Sequence, residues 1–210
     1  HSAASVDFDQ RLDKAAEINI YGAMKILDLA RACRNLDNYV HISTAYVSCD
    51  KGPGLIHEKI YPLGDDPENI LRHIASIPVE QIEKATPAII RPYPNTYTFT
   101  KRLGEHMLEK FKGTVPVCIC RPTIISASWK DPFPGWSDSV AAAGAFFLAA
   151  GLGLLKIGIG KEHEIGDQIP VDFVANNCII AGAVLAHKDT IQVVHAGSST
   201  RNPVTWSVCK

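Results

Sequence analysis

Asn95-Thr96-Tyr97-Thr98-Phe99-Thr100-Lys101 sets a phenol and an ammonium four residues apart at the start of a helical pattern, directly behind a residue suited to cap it. One helical turn separates Tyr97 from Lys101, so both project from one face, where the cation favours phenolate and makes the tyrosine a usable acid at neutral pH. The pair alone is weak evidence, because Tyr and Lys at this spacing also form an ordinary amphipathic surface. Its surroundings give it weight.

Upstream, Tyr39-Val40-His41-Ile42-Ser43-Thr44 is a short apolar run that breaks into hydroxyls, and downstream Val115-Pro116-Val117-Cys118-Ile119-Cys120 is a second, stopping at Arg121-Pro122-Thr123. Around them lie helical patterns: Leu12 to Ala32, Thr96 to Phe111, and Phe173 to Ala186, with Ile191 to His195 as a last strand. Alternation of strand and helix argues for an α/β fold, a partial doubly wound, Rossmann-like parallel sheet. Ligands of such sheets lie at the carboxyl ends of the strands, where Thr44 and Thr123 fall and where the start of the Tyr97 helix returns. Between Cys49 and Tyr93 runs a long connection with short helical patterns at 67–76 and 78–85, expected to act as a lid.

Composition narrows the function. The 210 residues are 46% hydrophobic and carry a net charge of −1, enough apolar content for a core and no electrostatic footprint for nucleic acid or an anionic membrane. Six cysteines show neither a Cys-x-x-Cys nor zinc spacing, so no metal is expected, and Cys118 and Cys120 read as reduced thiols on a buried strand. Cys49 lies just past a strand end, but nothing nearby in sequence supplies a base for a thiol nucleophile. Ser139 to Leu155 is uncharged for 17 residues, at the lower edge of the roughly 17–25 needed to span a bilayer; a buried helix is expected instead. His41 reads as a satisfied core histidine, and Asp172 as the cap of the helix it precedes.

Four phrases carry a resemblance: His41-Ile42-Ser43-Thr44-Ala45-Tyr46-Val47, Pro94 to Lys101, Ile169-Pro170-Val171-Asp172, and, most narrowly, Arg121 through Trp129-Lys130-Asp131-Pro132-Phe133-Pro134-Gly135-Trp136. They resemble the fatty acyl-CoA reductases, the alcohol-forming branch of the extended short-chain dehydrogenases, or male sterility family. The resemblance implies reduction of a long-chain fatty acyl-CoA to the alcohol through an aldehyde, with NADPH as cofactor. It assigns Thr44 as the hydrogen-bonding hydroxyl, with Ser43 as second choice near the substrate, Tyr97 as the acid, and Lys101 as the group that tunes Tyr97 and holds the nicotinamide ribose. Ala3 and Ala4 would pass the cofactor, and the backbone of Arg121, Pro122, Thr123 and Ile124 would meet its carboxamide. Trp129, Phe133, Trp136, Phe146 and Phe147 would line an acyl channel. Asn19 matches the family's helix asparagine, linked to the active-site hydrogen-bond chain.

No Gly-x-x-Gly-x-x-Gly fingerprint occurs in the sequence. Residues 1–210 therefore read as one incomplete cofactor-binding domain, a fragment expected to be inactive alone, with substrate-side segments at about 50–93 and 126–168. The family implies an intracellular, reducing location at peroxisomal or endoplasmic-reticulum membranes, with any anchor outside this segment. Two alternatives stay open: an extended short-chain dehydrogenase acting on a nucleotide sugar or small carbonyl, sharing Thr44, Tyr97 and Lys101, and a non-catalytic Rossmann-derived binding module.

Overall fold

The computed structural model describes all residues except 141, 157–160, 186–188 and 210, and the side chains of 142 and 209 are also left aside. Its elements are α1 (Leu12–Ala16), α2 (Gly22–Ala32), β1 (Tyr39–Ile42), α3 (Pro67–Ser76), α4 (Ile82–Ile89), α5 (Thr96–Phe111), β2 (Val117–Pro122), β3 (Ile124–Ser126), α6 (Ala142–Gly151), β4 (Gln168–Pro170), α7 (Val171–Val184) and β5 (Gln192–Ala196). The chain divides into two compact units, His1–Cys120 with Ala181–Val194, and Arg121–Ile180 with His195–Lys210.

The main sheet has the order β1-β2-β5, with β1 and β2 parallel in the register Tyr39↔Val117 to Ile42↔Cys120. Val117, Cys118, Ile119 and Cys120 are wholly buried, as befits a central strand covered on both faces, which reads as continuous apolar sequence rather than alternation. A second, two-stranded parallel sheet pairs β3 with β4. The α/β class with parallel strands is as expected.

α5 begins and ends where its sequence indicates. Asn95 Oδ1 accepts from the Thr98 backbone N–H at 2.9 Å and from Thr98 Oγ1 at 3.0 Å, fixing the first turn. Phe99, Leu103 and Met107, at helical spacing, pack against Leu12, Ala16, Ile20, Leu71, Ile74, Ile82 and Ile90. Leu108 instead joins Leu27, Tyr39, Val117, Ile119 and Val193 beside the sheet. The helix carrying Tyr97 and Lys101 is thereby wedged between sheet and helical layer, and its position is set by burial on two sides.

Two expectations change here. The helix expected to run unbroken over Leu12–Ala32 contains a π turn, Glu17–Tyr21, between α1 and α2. The wider turn buries Asn19, and α5 approaches it closely: a Cβ at Gly104 would sit 3.2 Å from the Asn19 carbonyl oxygen. The connection after Cys49 is no loose strap, because Leu71, Ile74 and Ile82 of α3 and α4 sit in the core against α5. Asp66 caps α3, and Lys110 of α5 pairs with both Asp66 (2.6 Å) and Glu68 (2.5 Å).

In the second unit, Gly197 lies so close to Thr123 that a Cβ would stand 2.8 Å from its methyl group, so any larger residue would have to displace Thr123. The expected buried helix at 139–155 is α6 over Ala142–Gly151, but Phe146, Phe147, Leu148, Leu152 and Leu154 are exposed; the sequence around it is apolar on every side, so not all of it finds a core. No helix among the described residues is long and apolar enough to cross a membrane. Of the helix expected to end at Ala186, that last residue lies outside those described.

Candidate functional site

β1 ends at Ile42, and Ser43 continues its pairing by donating its N–H to Cys120 O at 2.7 Å. Thr44 then turns the chain into a short 3-10 segment, its Oγ1 accepting from the Tyr46 N–H at 3.3 Å. Its hydroxyl lies close enough to the phenol of Tyr97 to favour the phenolate, and Tyr97 stands half-buried in the first turn of α5 with its ring 5.5 Å from that of Phe8. One turn on, Lys101 is 3% exposed and donates from Nζ to Ile42 O at 2.6 Å, which fixes the ammonium at the carboxyl end of β1. Thr44, Tyr97 and Lys101 are thus brought together. Ser43, also buried, has an Oγ without a partner and does not join them.

The electrostatics differ from the sequence expectation. Burial pushes the Tyr97 phenol above its ordinary value, and the Thr44 hydroxyl only partly opposes this. Lys101 points to the Ile42 carbonyl, and burial lowers its pKa to about 8 against the attraction of Glu105. Tyr97 is therefore a protonated acid at neutral pH, stabilised toward phenolate by Thr44. The same burial, with the Lys101 charge, holds His41 well below its usual range and therefore neutral. His41 is not the fully satisfied residue expected: Nδ1 meets His1 Nδ1 at 3.0 Å, while Nε2 has no partner.

Residues 1–10 cross this end of the sheet. Ile42 N–H donates to His1 O at 2.9 Å, Ser5 and Asn19 exchange hydrogen bonds of 2.8 and 3.2 Å, and Thr96 Oγ1 donates to Phe8 O and Gln10 O. Ala3 is exposed and Ala4 half-buried. Asn19 also donates to Thr100 Oγ1 at 3.0 Å, so it ties residue 5 to α5 and has no direct bond to Tyr97 or Lys101. A nicotinamide ribose suits the arrangement: Lys101 spends one of its three protons on Ile42, and no acceptor among the described residues takes the others.

Cys49 is an exposed residue of the 3-10 segment, yet partial burial of its thiol, together with Asp50, raises its pKa, the reverse of an activated nucleophile. Behind α5, a cavity of about 610 Å³ is lined by residues including Leu63, Ile70, Ile89, Tyr93, Phe99 and Arg102. Phe99 lies roughly 200° around the helix from Tyr97, so this cavity opens on the other side.

The second unit holds the other expected residues. Arg121 is buried, with Nη1 3.4 Å from His195 Nε2, and Pro122 is buried beside it. The N–H groups of Thr123 and Ile124 are taken by Ala196 O (3.0 Å) and Asp167 O (3.1 Å), which leaves neither for a carboxamide. Trp129 and Phe133 stand exposed on one loop, with Trp136 half-buried at its base. Phe146 and Phe147 stack edge to face on α6, and Phe146 meets Trp206 at 5.7 Å. Asp172 does not cap α7; it lies within the first turn, and its carboxylate accepts from the N–H groups of Trp129, Lys130 and Asp131.

Sequence reasoning missed Arg102. Its guanidinium donates to Val47 O, Tyr61 O and Pro62 O at 2.9–3.1 Å, binding the segment after Thr44 to the helix of Tyr97. A charged residue among helix-surface positions carries no signal of burial. Its place next to Lys101 on α5 was the only clue.

The NAD-binding family described as male sterility protein matches residues 1–178. Among curated proteins, the chain is 36% identical over 209 residues to fatty acyl-CoA reductase 2 of Mus musculus, covering 98% of this chain and 40% of that protein. Among solved structures it is similar to a thiolation-reductase di-domain from an archaeal non-ribosomal peptide synthetase (TM-score 0.60, 19% identity, 97% of this chain, 38% of the other). It is also similar to UDP-glucuronic acid 4-epimerase from Bacillus cereus in complex with NAD (TM-score 0.60, 16% identity, 93% and 51%). At those identities the structural likenesses establish the Rossmann-type fold alone. The chain spans about two fifths of the length of the curated relatives it matches.

Proposed function

Because the chain belongs to the male sterility protein family of NAD-binding domains, we propose that the whole protein reduces long-chain fatty acyl-CoA to fatty alcohol through an aldehyde, using NADPH. The observation that carries this reading is the gathering of Thr44, Tyr97 and a buried Lys101 at the carboxyl end of β1, in a chain 36% identical to a fatty acyl-CoA reductase.

Tyr97 gives its proton to the acyl carbonyl oxygen as negative charge gathers there, and Thr44, donating to the phenol oxygen, steadies the phenolate left behind. Lys101, anchored on Ile42, would hold the cofactor's ribose hydroxyls with its remaining protons. The nicotinamide, when bound, supplies hydride. The acyl carbon gains that hydride and its oxygen the Tyr97 proton; the thiohemiacetal then breaks its C–S bond and releases CoA as the thiol. Tyr97, reprotonated from solvent, serves the aldehyde in the same way, since both steps place charge on the same oxygen. Cys49 takes no part, in keeping with its raised pKa. Trp129, Phe133, Trp136, Phe146 and Phe147 are assigned to the acyl chain. A reducing intracellular compartment at a peroxisomal or endoplasmic-reticulum membrane fits this chemistry.

Product analysis tests the assignment. With palmitoyl-CoA and the protein at its natural length, two NADPH should be oxidised per CoA released and hexadecanol should dominate. Aldehyde accumulating with one NADPH per CoA would overturn the alcohol-forming reading and leave the reductase class standing.

A further inference from the structure

Of the basic residues on α5, Lys101, Arg102, His106 and Lys110, all but the first have a carboxylate of their own. Arg102 Nη1 lies 3.8 Å from Asp50, His106 Nδ1 lies 3.7 Å from Glu109, and Lys110 Nζ lies 2.6 Å from Asp66 and 2.5 Å from Glu68. Lys101 is 3% exposed, its Nζ held by the Ile42 carbonyl, and it forms no ion pair among the described residues. Burial disfavours a charged amine, so an ammonium in such a place gives up its proton unless a nearby negative charge keeps it.

That charge is supplied from the same helix. Glu105, 1% exposed, stands one turn beyond Lys101. Helical side chains lean toward the helix N-terminus, which lays residue 105 back over residue 101 on one face. Glu105 is the group that opposes the effect of burial on Lys101. The other groups near the ammonium bring no negative charge: Tyr97, one turn earlier, is a protonated phenol, His41 on β1 is neutral and meets the His1 ring, and Asn19 in the π turn is uncharged. A helix that needed only packing here would carry an apolar residue at 105, since a buried carboxylate is costly.

We propose that Glu105 is a positioning residue for the cofactor: its buried carboxylate keeps Lys101 protonated, so that the ammonium can hold Ile42 O and the ribose hydroxyls together. This rests on the NADPH-dependent reductase reading above. It assigns Glu105 no contact with the cofactor or the reacting atoms.

Fluorescence titration of NADPH into the protein at its natural length, at pH 6.5 and pH 9, tests this in wild type, Glu105→Gln and Glu105→Asp. Glutamine matches glutamate in size and removes the charge; aspartate shortens the side chain and keeps it. Without the carboxylate, Lys101 should lose its proton about one pH unit lower. Glu105→Gln should then bind NADPH within about twofold of wild type at pH 6.5 and about tenfold more weakly at pH 9, and Glu105→Asp should recover most of that difference. Equal weakening at both pH values, no change at either, or a shift as large in Glu105→Asp would overturn the proposal. If Glu105→Gln does not fold, the Glu105→Gln/Lys101→Met double variant decides. Removing the uncompensated ammonium should restore the native circular-dichroism spectrum, and a double variant that stays unfolded overturns the proposal. Failure of the reductase reading itself looks different, as wild-type protein would bind NADPH at neither pH.

Discussion

Replacing Lys101 with methionine should make the protein more stable at neutral pH while destroying its activity. The ammonium is 3% exposed, and burial lowers its pKa from 10.5 to about 8, which corresponds to about 3 kcal/mol lost by folding a charge into this position. Methionine has similar length, no charge and an adaptable side chain. It also abandons the Ile42 carbonyl, at a cost of about 1–3 kcal/mol, so the expected net gain at pH 7 is about 1 kcal/mol. The pH dependence identifies the cause. A base with a depressed folded pKa carries its full penalty below about pH 8 and sheds it as pH rises toward 10.5, because the unfolded chain then holds the extra proton. Between pH 7 and 9.5 the wild type should gain about 2 kcal/mol on the variant, so that their order reverses. Urea unfolding followed by far-ultraviolet circular dichroism at both pH values measures the difference, in which all other titrating groups cancel. A stability difference that does not move with pH would refute the buried-charge reasoning, whatever its sign at pH 7.

Three further outcomes follow from the same contacts. Asn95→Ala should cost about 1 kcal/mol in urea unfolding, since it removes the cap that seats the first turn of α5 under Tyr97. Arg102→Ala should cost about 3 kcal/mol or more, because three carbonyls lose one buried donor group; an effect below about 1 kcal/mol would show that the segment after Thr44 holds its place without it. Cys49→Ala should leave NADPH oxidation within about twofold, and loss of turnover would move the mechanism to thioester exchange on sulfur.

What the sequence made legible was governed by local rules. The span of α5 follows from Asn95 and from apolar residues at helical spacing, and β2 from an apolar run between turn signals. Thr44, Tyr97 and Lys101 could be placed together because parallel sheets bring strand ends and helix starts to one edge. What stayed hidden depended on partners far along the chain. The π turn at Glu17–Tyr21 accommodates α5, more than 70 residues later. Asp172 looks like a helix cap in sequence, since an acidic residue near a helix start usually is one; only the fold brings the amides of 129–131 to it. The electrostatics were misjudged for a related reason. Helical spacing puts Lys101 near Tyr97, but it cannot reveal that the ammonium donates to the Ile42 carbonyl, or that burial outweighs the Thr44 hydroxyl at the phenol.

The central claim is that Tyr97 is the proton donor of a reductase site. Steady-state NADPH oxidation with palmitoyl-CoA by Tyr97→Phe, on the protein at its natural length and with its unfolding midpoint checked, tests it most directly. Turnover should fall about 10²–10⁴-fold with stability retained, because the phenol oxygen supplies both the proton and the charge stabilisation at the carbonyl. Activity within about tenfold of wild type would contradict the claim.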